Sequence, residues 1–405
     1  MNSGAKRLVA APRPDLVAAA EEFARMLAAG AAERDATRTL PHEQMRLLKK
    51  TGLLSSRVDG VFGGADASFL EVADIMLYLA AGDPNVAQSV QPHFFFIEQL
   101  RLDGTRAQCE RFSREVVHGA IIANAFAERG NKVVGEIKTT LVRDGAAYRL
   151  NGTKFFSTGS IFADYLYAPA VLEDGVQAIT IFPRDREGVS VIDDWDGMGQ
   201  RTTASGTTLL QNVLIESGEF IPLPRLKERR TYIGAAAQLL HAAIDVGIAK
   251  AALADAIAYS PEARPVPESK VQKAAEDPYV LHSVGEMTVI LHAAEAMLRR
   301  GAEFLDRAAG AQLSGTHDGP ALDRLLAESS IAVAEAKASA NGACLQICEM
   351  MYRVGGASMT LRSHNYDRHW RNARTHTTHD PVAYKYRAIG DFQLNGRFPP
   401  ISTKL

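Results

Sequence analysis

Between Asp367 and Pro381 the chain reads DRHWRNARTHTTHDP, and nearly every residue in it can bind or move charge. Arg368, Arg371 and Arg374 recur at helical spacing, His376 and His379 stand three apart, and Arg387 follows a little further on. Guanidinium groups present paired donors that match phosphate or carboxylate oxygens. Imidazole titrates near neutrality and can exchange protons with a reacting group. A helix on a protein surface carries one apolar face, and this one has almost none. Two readings follow: a solvated polar helix end, or a helix that seats an anionic or polar partner such as a buried cofactor. Salt bridges at a subunit contact would also use the arginines. The histidines miss the His-Glu-x-x-His and Cys/His spacings of a zinc site, even with His364, His369 or Asp380 added, so no metal is expected.

A second candidate is His93, inside the run QPHFFF (Gln91–Phe96). Three successive phenylalanines wrap more than half of a helix, so that helix is buried or walls an apolar cavity. His93 is then either a satisfied core histidine or a polar group facing that cavity.

The elements around these residues fall into three groups. Helices are expected at Leu16–Ala29, from Pro41 to a stop at Gly52, at Phe69–Ala81, at Asn85–Leu102 with Pro92 bending or breaking it, and at Thr105–His118. From about Gly119 short runs rich in Val, Ile, Tyr, Phe and Thr take over. These are Ile121–Phe126, Val133–Arg143, Ala147–Leu150, Lys154–Ser157, Tyr165–Leu172, Gln177–Phe182, Val189–Ile192 and Thr207–Ile215. Asp144-Gly145, Asn151-Gly152, Asp174-Gly175 and Glu187-Gly188 punctuate them as turns, the pattern of a barrel or sandwich. Long helical patterns then return at Tyr232–Tyr259, Pro278–Gly310 and Pro320–Val354. A broken fourth runs through Asn365–His379 and Val382–Leu394, and together they make an antiparallel bundle. The connection Pro261–Asp277 is long and charged, a candidate lid.

Composition removes several functions. A formal net charge of -2 gives no positive field for nucleic acid or anionic lipid. No apolar run is long enough to cross a bilayer, and Met1–Pro14 has no secretory apolar core behind it. Cys109, Cys344 and Cys348 are too few for a disulfide framework, which points to a reducing cytoplasm. No Gly-x-Gly-x-x-Gly opens a helix after a strand, and Gly60, Gly63 and Gly64 have the wrong spacing for a nicotinamide site. Electrons for any redox reaction are therefore expected from another protein.

The order of helices, β unit and bundle, with FGGADAS (Phe62–Ser68), NGTKFFSTGS (Asn151–Ser160) and MGQRTTASGTTLLQN (Met198–Asn212), resembles the acyl-CoA dehydrogenase superfamily over nearly the whole chain. The stretch from Asp367 to Gly396 resembles its flavin-dependent monooxygenase branch: dibenzothiophene and dimethylsulfone monooxygenases and amine N-hydroxylases. The resemblance implies an α+β fold with an N-terminal helical domain (1–119), a central β-barrel (120–224) and a C-terminal four-helix bundle (225–405), assembled as a homotetramer. It implies FMN reduced by a separate NAD(P)H:flavin reductase, O2 as cosubstrate, a flavin C4a-hydroperoxide, and oxygen transfer to a soft nucleophile such as organosulfur sulfur or amine nitrogen.

Residue roles follow from the resemblance in the same way. Asn124 faces the flavin pocket, and Ser157 and Thr158 lie along the isoalloxazine. Trp195 and Arg201 sit on the loop facing that pocket. Arg374 is among the arginines near the flavin phosphate, and His282 approaches it across a subunit boundary. His93, His376, His379 and Thr158 hold and protonate the hydroperoxide. Some relatives carry an arginine where this chain has Ser358, so the phosphate clamp differs. An acyl-CoA dehydrogenase needs a carboxylate base near the last helices, and no Tyr-Glu-Gly-Thr-like run supplies one; His376 and His379 stand there instead. The alternatives are an FAD-dependent acyl-CoA dehydrogenase and a non-catalytic DNA-binding member of the fold.

Overall fold

The computed structural model describes residues 15–130, 135–224, 228–317, 319–402 and 404–405. Met1–Pro14 lies outside them, as do Val133 and Val134 of an expected strand. The first layer is helical: α1 (Leu16–Ala28), α2 (Ala31–Thr37), α3 (His42–Leu48), α4 (Phe69–Gly82), α5 (Pro84–Asp103) and α6 (Arg106–Val117). Reciprocal capping boxes open α4 (Ser68 with Glu71) and α6 (Thr105 with Gln108), satisfying amides that have no partner within the helix. Asp83 caps α5, with Pro84 at its first turn. Pro92 does not break α5, which runs unbroken past it to Asp103.

The middle of the chain is one mixed sheet: β1 (Ile122–Asn124), β2 (Thr140–Asp144), β3 (Ala147–Lys154), β4 (Tyr165–Leu172), β5 (Gln177–Pro183), β6 (Val189–Ile192), β7 (Thr207–Ile215) and β8 (Phe220–Pro222). The order is β6-β7-β3-β2-β4-β5-β8, with β1 pairing parallel to β4. Asn151-Gly152, expected as a turn between two strands, instead lies within β3. The register against β7 slips between Leu150 and Gly152. A Cβ on Gly152 would sit 2.1 Å from Thr139 Oγ1, and Asn151 Oδ1 accepts from the Asn212 amide at 2.7 Å. The glycine is there for close approach at a bulge.

The last group is α7 (Ile233–Tyr259), α8 (Pro278–Ser314), α9 (Gly319–Met350), α10 (Tyr352–Gly355), α11 (Asp367–His376) and α12 (Ala383–Asn395). The helix expected through Met350 to Val354 is interrupted there, and α11 ends at His376, so His379 lies beyond it rather than on its face. The alanine-rich α7 is buried on nearly every side among α4, α5, α8, α9 and α11, yet it carries Gln238, His241 and Asp245. Among the described residues no helix is long and apolar enough to cross a membrane.

One buried ion pair ties the segment after β1 to β3. Lys154 Nζ, fully buried, reaches Glu128 Oε1 at 2.7 Å and the Pro169 carbonyl at 2.8 Å. Burial pushes the Lys154 ammonium down to about 8 in spite of that partner. Burial acts to raise the Glu128 carboxyl, but bonds from Lys154 and Thr139 outweigh it and hold it at about 2. Glu128→Ala strands the ammonium and should destabilise the fold by about 3–5 kcal/mol, most of it recovered by adding Lys154→Met. The carboxylate's folded pKa is depressed, so its contribution is complete above its ordinary 4.5 and fades on acidification towards 2. Urea unfolding of the single and double variants checks this; equal stability of Glu128→Ala and wild type would contradict it.

Candidate active site

The polar helix α11 is matched mainly by the protein's own carboxylates. Arg368 Nη2 and His369 Nε2 both reach Asp255 Oδ2, at 2.6 and 2.7 Å. Arg371 Nη2 lies 2.6 Å from the buried Asp35, which also accepts from Asn365. Arg374 differs: it donates to the Thr377 hydroxyl at 3.2 Å, and no carboxylate pairs with it among the described residues. So the anionic partner anticipated for this helix is largely internal, and one guanidinium is left over.

His376, the last residue of α11, is buried and points at α7 and α5. Its Nδ1 is 2.5 Å from Asp245 Oδ1, and Asp245 Oδ2 accepts from Lys337 Nζ at 2.6 Å. Both Asp245 and Lys337 are fully buried. Burial would raise the Asp245 carboxyl, but Lys337 and His376 hold it below the ordinary carboxylate range. Burial lowers the His376 imidazole, and Asp245 does not fully restore it. The ring's Nε2 faces Gln88 Oε1 and His241 Nδ1, each at 3.1 Å. His379 stacks on His241 with ring centroids 4.3 Å apart, so the two C-terminal histidines meet through a third and not through helical spacing. His379 is half exposed and bonded to Asp380, 3.1 Å away. Asp380 Oδ2 also accepts from Gln238 at 2.8 Å, and Lys404 Nζ lies 3.1 Å from Oδ1. Burial opposes ionisation of Asp380, but His379, His241 and Gln238 together keep it well below the usual range.

Two loops of the sheet face the same stretch of α5. Ser157 and Gly159 bond through their amides to the Gly206 and Thr203 carbonyls, and Thr158 Oγ1 pairs with Ser205 Oγ at 2.8 Å. Gly159 has φ +75° and packs so closely on α5 that a Cβ would meet the Ser89 carbonyl at 2.2 Å. The second loop is held to α11 by Asn372 Oδ1, which accepts from the Gln200 amide at 2.6 Å, and to α5 by Asn85 Oδ1, which accepts from Thr202. Phe156, Gln200 and Ala204 all carry positive φ without being glycine, a strain that persists only where surroundings over-determine the backbone. Asn85, Gln88 and Ser89 lie on one face of α5 and thus touch the second loop, His376 and the first loop in turn.

Several polar groups here are buried and lack a hydrogen-bond partner among the described residues: Ser157 Oγ, Thr202 Oγ1 and Asn124 Oδ1. Buried polar atoms are normally satisfied, so such a set marks where a polar ligand edge belongs. The donor and acceptor edges of a flavin ring suit them, and Arg374 suits its phosphate. Between β4, β5, α5 and the start of α7 is a cavity of about 550 Å³, walled by Phe95, Phe126, Pro169, Ile179 and Ile233 and edged by Asp103, Arg229 and Arg230. Lys404, the neighbour of Asp380, lines it too. Its size suits a small organic molecule.

Other residues singled out in the sequence are placed differently. His93 is fully buried between α3's following turn and β1, donating from Nε2 to the Leu54 carbonyl at 2.9 Å and accepting at Nδ1 from the Ile122 amide at 3.1 Å. Burial lowers it to about 4. Both nitrogens are used, so it has none to offer a reacting oxygen, and Phe95 rather than His93 reaches the cavity. Trp195 donates to the Gln200 carbonyl at 2.8 Å and packs edge-on against Phe156, shaping the second loop. Arg201 donates to the Asp35 carbonyl at 2.8 Å, at the end of α2. His282 lies on the exposed face of α8 beside Glu286 and is not joined to the site within one chain. His241, Asp245, Lys337 and Gln88 escaped the sequence reading; the one visible signal was His241 and Asp245 four apart on an otherwise apolar helix.

The N-terminal and C-terminal domain models of acyl-CoA dehydrogenase match residues 14–120 and 239–383. The dibenzothiophene monooxygenase of Rhodococcus erythropolis is 33% identical over 95% of this chain and 94% of its own. The probable FMNH2-dependent monooxygenase SfnC of Pseudomonas putida is 33% identical over 96% of each. The FMN-bound crystal structure of TdsC from Paenibacillus sp. A11-2 superposes with a TM-score of 0.90 at 30% identity, covering 97% of this chain and all of that one. The chain belongs to the acyl-CoA dehydrogenase superfamily. Within it, the chain is a member of the flavin-dependent monooxygenase branch.

The double tie of His93 assigns it to the framework. His93→Ala leaves the Leu54 carbonyl and Ile122 amide buried without partners and should lower stability by about 2 kcal/mol or more. Urea unfolding reads it, and an unchanged midpoint would contradict the assignment.

Proposed function

We propose that this chain takes reduced FMN from a separate NAD(P)H:flavin reductase and uses O2 to oxygenate a soft nucleophile, organosulfur sulfur or an amine nitrogen. The observation that carries the reading is a pair of imidazoles, each tied to its own carboxylate: His376 with Asp245, and His379 with Asp380, whose other oxygen meets Lys404 at the edge of the cavity. A dehydrogenase would need a free carboxylate base. The carboxylates here are spent on holding cations and imidazoles. Sulfur substrates are favoured by the company the chain keeps: a dibenzothiophene monooxygenase, and the methanesulfinate monooxygenase MsuC of Pseudomonas fluorescens, 29% identical with a TM-score of 0.87 over 96% of this chain.

When bound, reduced FMN supplies the electrons with which one atom of O2 is made available to substrate. Ser157, Thr158, Thr202 and Asn124 would hold the polar edge of its ring, and Arg374 its phosphate. Phe95 and Phe126 give the cavity apolar walls that would exclude water from a substrate held there. His376 and His379 hold and move protons there, His379 exchanging with solvent through its exposed edge. Trp195 and Arg201 act indirectly, by fixing the second loop. Assembly into a homotetramer would cover Tyr279 and Leu281, exposed on α8 beside His282, and bring that histidine to a neighbouring subunit's phosphate site. The three thiols are free, which suits a reducing cytoplasm.

The test supplies FMN, O2, NADH and a flavin reductase, with dibenzothiophene as the probe sulfide. His379→Ala should cut product formed per O2 at least tenfold, a loss of the order that general acid–base groups supply, with hydrogen peroxide rising to match. Unchanged coupling would remove His379 from the reaction.

A further inference from the structure

Between His376 and His379 lies a third imidazole, His241 of α7, and its ring is buried. Its Nδ1 is 3.1 Å from His376 Nε2, and its face lies 4.3 Å from the His379 ring at an interplanar angle of 35°. The protonation of this set can be worked out from one end. Lys337 and His376 keep Asp245 ionised, so Asp245 can only accept, and His376 must present Nδ1–H to it. In the neutral ring Nε2 of His376 is then a lone pair; Gln88 Oε1, 3.1 Å away, has no hydrogen to give it, so of its two neighbours only Nδ1 of His241 can donate. His241 therefore donates from Nδ1, which leaves Nε2 as the lone-pair nitrogen of its neutral ring.

We propose that His241 is a positioning residue that relays protons to His376 for the oxygen-transfer reaction. The inference rests on the oxygenase reading of this same site. A proton taken up at His241 Nε2 is matched by cleavage of its Nδ1–H bond and formation of an Nε2–H bond on His376. His241 is neutral again in its other tautomer, and the positive charge sits on His376. There Asp245 faces one nitrogen, and the side-chain oxygen of Gln88, 3.1 Å from the other, accepts the new N–H. The reverse shift returns the proton, so none is consumed. Lys337 and His379 disfavour charge on both rings, but Asp245 favours it on His376, and that sets the destination. Lys337 from α9, His376 from α11 and His379 from the turn after it all disfavour charge on His241, as burial does first. Asp380 is the one group that opposes them, and it is engaged by His379, Gln238 and Lys404. Lys385 of α12 adds further positive charge near Asp380. Asp245, on α7 itself, lies on the His376 side.

Two measurements decide it. Solid-state 15N spectra of histidine-labelled, flavin-free protein should show His241 neutral with the proton on Nδ1, identified by its loss in His241→Asn. A His241 carrying its proton on Nε2 overturns the relay without any reference to activity. In turnover with reductase-supplied FMN and dibenzothiophene, His241→Asn keeps a donor towards His376 but cannot change tautomer. Its kcat should fall about 100-fold while KM stays within about twofold, and the loss of activity on acidification expected of wild type should flatten. Wild-type kcat and an unchanged pH profile in His241→Asn would overturn the proposal. If wild type itself forms no oxygenated product, the oxygenase reading falls, and the tautomer alone judges the proton arrangement.

Discussion

A carboxylate and an ammonium with no water around them must satisfy each other or the fold fails. Asp245 and Lys337 are such a pair, 2.6 Å apart in the centre of the helical bundle. Removing either would leave its partner stranded at a cost of about 3–5 kcal/mol. Replacing both with apolar side chains would often be neutral, so stability alone does not explain them. The pair also does something an apolar core could not: it gives one ring nitrogen of His376 a permanent acceptor and so decides the state of the other. The chemistry of the site begins with that constraint.

The rest of the architecture carries the constraint outward. α5 serves as a shared wall. Its Gln88 faces His376, its Ser89 carries the turn at Gly159, and its Asn85 holds the loop at Thr202. Further along, Phe95 closes the cavity. The strained backbone at Phe156, Gln200 and Ala204 is held down by these same contacts and by Asn372. Buried hydroxyls left without partners therefore sit on fixed supports, which is what recognition of a planar polar ligand requires.

Much of this was legible in the sequence. Caps, turn glycines and the change from helical to alternating period marked α4, β4, β6 and β7 almost to the residue, because local chemistry settles those elements. Asn151-Gly152 misled because a glycine demanded by the Thr139 side chain looks the same as one demanded by a turn. His93 was noticed for its aromatic neighbours, but the carbonyl and amide that use its nitrogens come from distant segments, invisible to any local pattern. The arginines of α11 suggested an external anion because Asp35 and Asp255 lie far away in the chain. His241 shows the converse. A single polar residue in an alanine-rich helix carries almost no signal, and only the fold brings it between two histidines more than 130 residues later, 135 in the case of His376.

The measurement that bears most directly on the whole account is the fate of labelled oxygen. Reduced FMN, 18O2 and dibenzothiophene would be given to wild type and to Asp245→Asn, with product and peroxide analysed by mass spectrometry. The account predicts one 18O atom in the wild-type product, and in Asp245→Asn a shift of the label from product to hydrogen peroxide. Label absent from the wild-type product, or retained undiminished in that of Asp245→Asn, would contradict it.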